Sequence, residues 1–178
     1  MFLSFCQWLF NTNFGTSIRE SAYMYPIILS THLIAIALFG GMVLMSDLRL
    51  LGWALKDLPV STVVGGLRPW KRVGLGLILA MGFCLFSAKP VEYYHNPFFW
   101  TKITLLTLAL FHAIAFKGSV YDKLGEMDRT GVTPRAKMAA RMSLVLWLLI
   151  PCAGRAIGYY EVPKDLTMVV SHYLTFIR

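Results

Sequence analysis

At 178 residues the chain has the length of one domain, and with 57% hydrophobic and 15% charged residues it is too apolar for an ordinary soluble one. Its formal charge of +8 does not mark a nucleic-acid binder, because the basic residues sit between hydrophobic runs rather than along a water-facing stripe. Cys6, Cys84 and Cys152 show no paired spacing, which excludes a disulfide framework or a cysteine-based zinc site.

In chain order, Phe2 to Phe10 is apolar but too short to cross a bilayer, and it reads as an interfacial helix. The start of the chain lacks a basic stretch before this run, so the first span is expected to act as its own insertion signal. That span is predicted over 23–45, long enough for a hydrocarbon core of ~30 Å at 1.5 Å per residue. A second is predicted over 70–88, with Pro69 in its first turn. The third follows the Asn96-Pro97 turn over 98–116. The fourth begins amphipathically at the Thr133-Pro134 cap and spans 142–160. Pro151 interrupts its hydrogen bonding, so a kink is expected beside Gly154 and Arg155. A second interfacial segment is predicted over 166–177. The fold class is therefore all-α: a polytopic membrane four-helix bundle, one domain, with short interfacial helices at both termini.

Orientation follows from the basic residues. The two long loops hold Arg49, Lys56, Arg68, Lys71 and Arg72, then Lys117, Lys123, Arg129, Arg135, Lys137 and Arg141. The opposite side holds Arg19, Lys89, Lys102, Arg155, Lys164 and Arg178. Eleven against six places the loops in the cytoplasm and both termini on the periplasmic face of an inner membrane.

Two histidines fall within spans. His32 lies in the outer half of the first, where an ionisable group is a functional candidate by default. Its chemistry fits an axial ligand to haem b or a hydrogen-bond partner for a quinol; the bland alternative is an interhelical hydrogen bond. His112 lies in the third span. Counted from the centres of the two runs, it sits about 10–11 Å further inward than His32. With a helix spacing of ~8–10 Å, a shared iron would strain the geometry. His112 is then a second ligand, a packing residue or part of a separate site nearer the cytoplasm. The outer ends are polar, with Arg19, Glu20, Lys89, Glu92, His95, Lys102 and Arg155 at that level. Lys102 and Arg155 could clamp haem propionates or a quinol headgroup, or simply snorkel and pair with Glu20 or Glu92. Asp47 and Arg49 are expected to end the first helix. Gly40, Gly41, Gly74, Gly76 and Gly82 allow either close helix approach or a flat cofactor. No nucleophile–base pair, phosphate loop or H-E-x-x-H motif is present, so the residues do not decide whether the protein is an enzyme.

Tyr25-Pro26, His32, Gly40-Gly41, the run from Asp47 to Gly52, Lys102, Ser143, Trp147 and Gly154-Arg155 together resemble a family of small bacterial four-helix membrane proteins of unassigned function. More loosely, an early histidine followed by glycines and an arginine at the end of the span is similar to the copper-resistance D family and to the membrane protoporphyrinogen oxidase family, which binds haem b. That likeness implies His32 as a haem ligand. The reading that follows is a membrane subunit of an electron-transfer system, binding haem b or a quinol on its outer half through His32, Arg155, Lys102 and His112. It would contact lipid and other membrane or periplasmic redox subunits. The rivals are a cofactor-free structural or assembly subunit, a small membrane enzyme acting on a porphyrin or quinone, and a copper-handling protein.

Overall fold

The computed structural model describes residues 1–163; the segment expected over 166–177, with Lys164 and Arg178, lies outside them. Eight α-helices follow in chain order: α1 (Phe2–Phe10), α2 (Asn13–Glu20), α3 (Met24–Leu51), α4 (Arg68–Ala88), α5 (Pro90–His95), α6 (Pro97–Phe116), α7 (Leu124–Thr130) and α8 (Pro134–Ile157). Four-residue periodicity widens into a π-helical turn at Ser61–Gly65, ahead of α4, and at Lys117–Tyr121, after α6.

Four helical stretches are long and apolar enough to cross a membrane: Met24–Leu51, Ser61–Ala88, Pro97–Tyr121 and Pro134–Ile157. Their outward faces confirm the setting, with Leu38 65% and Leu148 69% exposed. So continuous an apolar surface would be untenable in water. The third and fourth spans start where their sequence caps dictate. Asn96 accepts from the Phe98 and Phe99 amides ahead of Pro97, and Thr133 accepts from Ala136 ahead of Pro134. The first helix runs past the expected Met45 and stops at Gly52, whose φ of +72° is a left-handed cap. α8 is continuous across Pro151.

α3 packs against both α4 and α8, and α8 packs against α6. α4 and α6 are consecutive spans, yet they do not pack along each other. The bundle is thus an arc in the order α4–α3–α8–α6, and the seam between its two edges is bridged only near its ends, by Phe86 stacked on Phe99 at 5.5 Å and by Arg68 on the Tyr121 carbonyl. Small residues set the closest approach on one side: a Cβ on Gly74 would touch Phe39 at 3.3 Å, and one on Gly82 would touch His32 at 3.3 Å. Gly40, Gly41 and Gly76 face open space, so only part of the glycine set serves helix contact.

The two ends of the bundle are sealed differently. At the loop end, Leu50, Leu51, Val60, Val64, Phe116, Val120, Leu124, Met127 and Ala139 form one core. Each large side chain there gains about 1.5–3 kcal/mol over exposure to water. Asp128 of α7 fastens the loop by accepting from the Val60 and Ser61 amides. At the terminus end, α1 lies on α5 and α2 on α4. Phe2 meets Tyr94 and Trp100 at 5.8 and 5.7 Å, while Phe5 and Trp8 stay exposed, as befits an interfacial helix. Arg19 locks this end. Its guanidinium lies 3.8 Å above the Phe10 ring and donates to the Ala88 carbonyl at 3.0 Å.

Candidate functional site: a lateral cavity with a polar end

The site is built on one stripe of α3. His32, Ala35, Phe39, Val43, Ser46, Asp47 and Leu50 recur at three- and four-residue intervals and are all buried, so they face the same interior. His32 and Asp47 belong to the same stripe but to different surroundings, with Ala35, Phe39 and Val43 between them along the helix.

Around Asp47 the four spans enclose a cavity of about 500 Å³. Its α6 wall runs from Ile103 to Ala113, a length of about 15 Å at the helical rise. Most of the wall is apolar, including Leu75, Leu79, Leu106 and Leu110, with Phe39 against Trp147 at 4.7 Å. Apart from Thr107, whose hydroxyl donates to the Ile103 carbonyl of its own helix, the polar groups collect at the loop end: Ser46, Asp47, Lys71, His112, Tyr121 and Ser143. Because α4 and α6 do not close on each other, an apolar molecule can reach this space sideways from the bilayer.

Hydrogen bonds leave the polar end incompletely satisfied. Ser46 Oγ donates to the Met42 carbonyl at 2.8 Å and accepts from Lys71 Nζ at 3.0 Å. Asp47 is 2% exposed, with the Ser143 hydroxyl and the Lys71 ammonium as neighbours, yet its Oδ2 has no hydrogen-bond partner. A charged residue at membrane depth costs roughly 2.5–3.5 kcal/mol on insertion scales, and a buried unpartnered acceptor adds to that. His112 Nε2 lies 2.9 Å from the Ala139 carbonyl. A carbonyl can only accept, so Nε2 carries the proton and Nδ1 keeps the lone pair. The site therefore offers donors at Lys71, Ser143 and Tyr121, and acceptors at Asp47 and His112.

The structure divides the residues singled out in the sequence. His112 lines the cavity. His32 does not: its ring packs against Gly82 and the Ile78 backbone of α4, with Nδ1 buried and unpartnered. Lys102 comes within electrostatic reach of His32, and its stem fits over Gly154, where a Cβ would stand 3.5 Å from Nζ. His32 and Lys102 are thus brought together in the half toward the termini, apart from His112. Arg155 joins neither group. It is exposed and donates to the Tyr159 hydroxyl at 2.8 Å, with its guanidinium 4.7 Å over that ring. Lys89 pairs with Glu92 at 3.2 Å beside a polar cleft lined by Tyr25, Tyr93 and Asn96. Burial, and then proximity to Tyr25, push the Tyr93 phenol up from its ordinary range. Among the described residues no three His, Cys, Asp or Glu side chains gather around one point.

Sequence reasoning missed Asp47 and Lys71 as site residues, assigning Asp47 to the helix end. The signal was present. Asp47 lies four and eight residues beyond Val43 and Phe39, and Lys71 lies four and eight before Leu75 and Leu79. Both polar residues continue stripes that face inward.

Fold and site together define a polytopic membrane protein: a four-span helical bundle with a lipid-accessible cavity ending in ionisable groups. Residues 5–160 match the DUF6644 family, a family of unknown function, and the chain belongs to it. No curated protein and no solved structure matches the chain.

Proposed function

We propose that this protein binds a quinone or quinol in the lateral cavity, as the membrane component of an electron-transfer system. The observation that carries the reading is the cavity's polarity: a long, mostly apolar slot between the helices, with its ionisable groups at one end only. An isoprenoid quinone has the matching division, an apolar tail and a ring with two oxygens. A quinone carbonyl takes a hydrogen bond from Lys71, Ser143 or Tyr121. A quinol hydroxyl gives one to Asp47 Oδ2 or to His112 Nδ1. The headgroup then sits toward the basic loop end, which the charge bias makes the cytoplasmic side, and not at the outer half with Arg155. With no water-facing domain among the described residues, redox subunits elsewhere would exchange the electrons.

Tryptophan fluorescence tests this directly, because Trp147 forms part of the wall. Protein in lipid nanodiscs is titrated with short-chain ubiquinone and menaquinone analogues. Saturable quenching is expected, and Trp147→Phe should remove most of its amplitude. Quenching that only tracks quinone partitioning into empty nanodiscs would sink the proposal and leave the cofactor-free structural reading.

Haem b is the second reading, favoured by one observation: His112 presents a lone pair in a cavity with apolar walls. His112 would be the protein ligand and Lys71 the cation nearest a propionate. Oxidised and dithionite-reduced absorption spectra decide it; a Soret band lost in His112→Ala supports haem, and a colourless protein expressed with haem supplied removes it.

A further inference from the structure

Beyond the cavity's polar end lies a second, smaller hollow of about 260 Å³ at the membrane edge. Lys71 and Tyr121 belong to both, forming the partition between them. The outer hollow adds Arg68, Arg72, Lys117 and Asp122. Four cations therefore surround one acid. That acid is already engaged, since Arg68 Nη1 lies 3.9 Å from Asp122 Oδ1 and Arg68 Nη2 donates to the Tyr121 carbonyl. Arg72 and Lys117 are exposed and have no ionic partner among the described residues.

Basic residues at this end follow from topology alone, but their convergence does not. Arg68, Lys71 and Arg72 come from the first turns of the second span, and Lys117 from the end of the third. These are the two edges of the arc that fail to pack on each other. The cations thus face one another across the mouth of the open seam, at the level of lipid headgroups, with lipid-facing helix sides running away from them.

We propose that this hollow is a binding site for the phosphate of an anionic phospholipid from the adjoining leaflet, with its acyl chains lying along the seam between α4 and α6. A guanidinium and an ammonium on opposite edges match a phosphodiester's oxygens, and basic pockets between spans are established sites of anionic headgroup capture. The lipid fills the stretch of seam between the two places where the edges already touch, the Phe86–Phe99 stack and the Arg68 bond to the Tyr121 carbonyl. The site stands independently of what occupies the cavity, since the hollow lies on the far side of Lys71 and Tyr121.

Native mass spectrometry of the purified full chain, equilibrated with equal phosphatidylglycerol and phosphatidylethanolamine, reads the site. Selective retention of phosphatidylglycerol is expected. Arg72→Gln and Lys117→Gln should each weaken it about five-fold, whereas Arg129→Gln with Lys137→Gln, which removes the same charge from the same end, should leave it unchanged. Arg68 is spared because it also holds the Tyr121 carbonyl. Equal retention of the two lipids overturns the proposal, as does equal loss in the control pair. Displacement of the lipid by millimolar inorganic phosphate would also overturn it, since the hollow would then take a free anion and not a lipid.

Discussion

His32 and His112 stand in the same bundle, each buried and each within a span, but the two halves of the molecule treat them differently. The half toward the termini is packed closely around His32. Gly82 brings α4 against the His32 ring, Gly154 makes room for Lys102, and α2 is clamped over the end of α4 by Arg19. The half toward the loops is held together at its rim by a large apolar core and opens above it into a cavity, where His112, Asp47 and Lys71 meet. The same kind of residue is packed against a helix in one half and lines a cavity in the other. What differs is the partner helix: α4 packs along α3 around His32, while α4 and α6 do not pack along each other beside the cavity. Polar residues in a span become a site where helix packing leaves them a space.

The strongest way to break the contrast is to loosen the packed half. A Cβ on Gly15 would stand 2.5 Å from the Ser87 carbonyl oxygen, a backbone atom that cannot swing aside. Gly15→Val should therefore displace α2 and cost about 1–3 kcal/mol, read as a lowered thermal midpoint in detergent. Quinone quenching at Trp147 should survive, because the cavity lies in the other half. Loss of quenching in a protein that still inserts would show that the halves are not independent.

Next in size is the histidine pair itself. His112→Ala should raise the quinol Kd about tenfold, ~1.4 kcal/mol, while His32→Ala leaves it unchanged. Equal effects, or a larger one at His32, would reverse the assignment of the binding half.

Asp47→Asn sharpens the chemistry within the cavity. The amide keeps the size of the side chain but exchanges a charged acceptor for a mixed donor and acceptor. Quinol affinity should fall more than quinone affinity, by about 1 kcal/mol, the net worth of one hydrogen bond. A uniform loss for both redox forms would place Asp47 in the wall without a bond to the headgroup.

The smallest effect is expected at the rim. The Ser61 hydroxyl, with the Ser61 and Val60 amides and Arg49, holds the Asp128 carboxyl below its usual range. The folded state then binds fewer protons than the unfolded one near the ordinary carboxylate pKa. The stabilisation is present at neutral pH and disappears as pH falls through that range to the lowered folded value. Asp128→Ala should lower the thermal midpoint slightly at pH 7, and the gap from the parent should shrink as the pH falls below the ordinary carboxylate range. A gap constant across that window would mean that Asp128 acts without its charge.

Much of this fold was legible in one dimension. Thr133-Pro134 and Asn96-Pro97 announce the starts of two spans, Gly52 ends the first as a left-handed cap, and the run from Phe2 to Phe10 forms the short surface helix its length implies. The candidate site was legible only in part. His32 and His112 stand out because a histidine is costly in hydrocarbon, whereas Asp47 and Lys71 are camouflaged by their place near span ends, where charges are ordinary. Arg155 misleads for the opposite reason: it follows an apolar run, yet α8 turns it outward onto Tyr159.

The sequence by itself determined the four spans, their caps and the side that carries the basic loops. Those properties depend on local composition measured against a bilayer of given thickness, and each segment expresses them without its neighbours. Only the tertiary structure decided that α3 packs between α4 and α8, that α4 and α6 stay apart, and that Asp47, Lys71 and His112 share one cavity while His32 is shut out of it. Those outcomes depend on which faces of four helices meet, and small residues such as Gly74 and Gly82 set that meeting only when the partner surface is present.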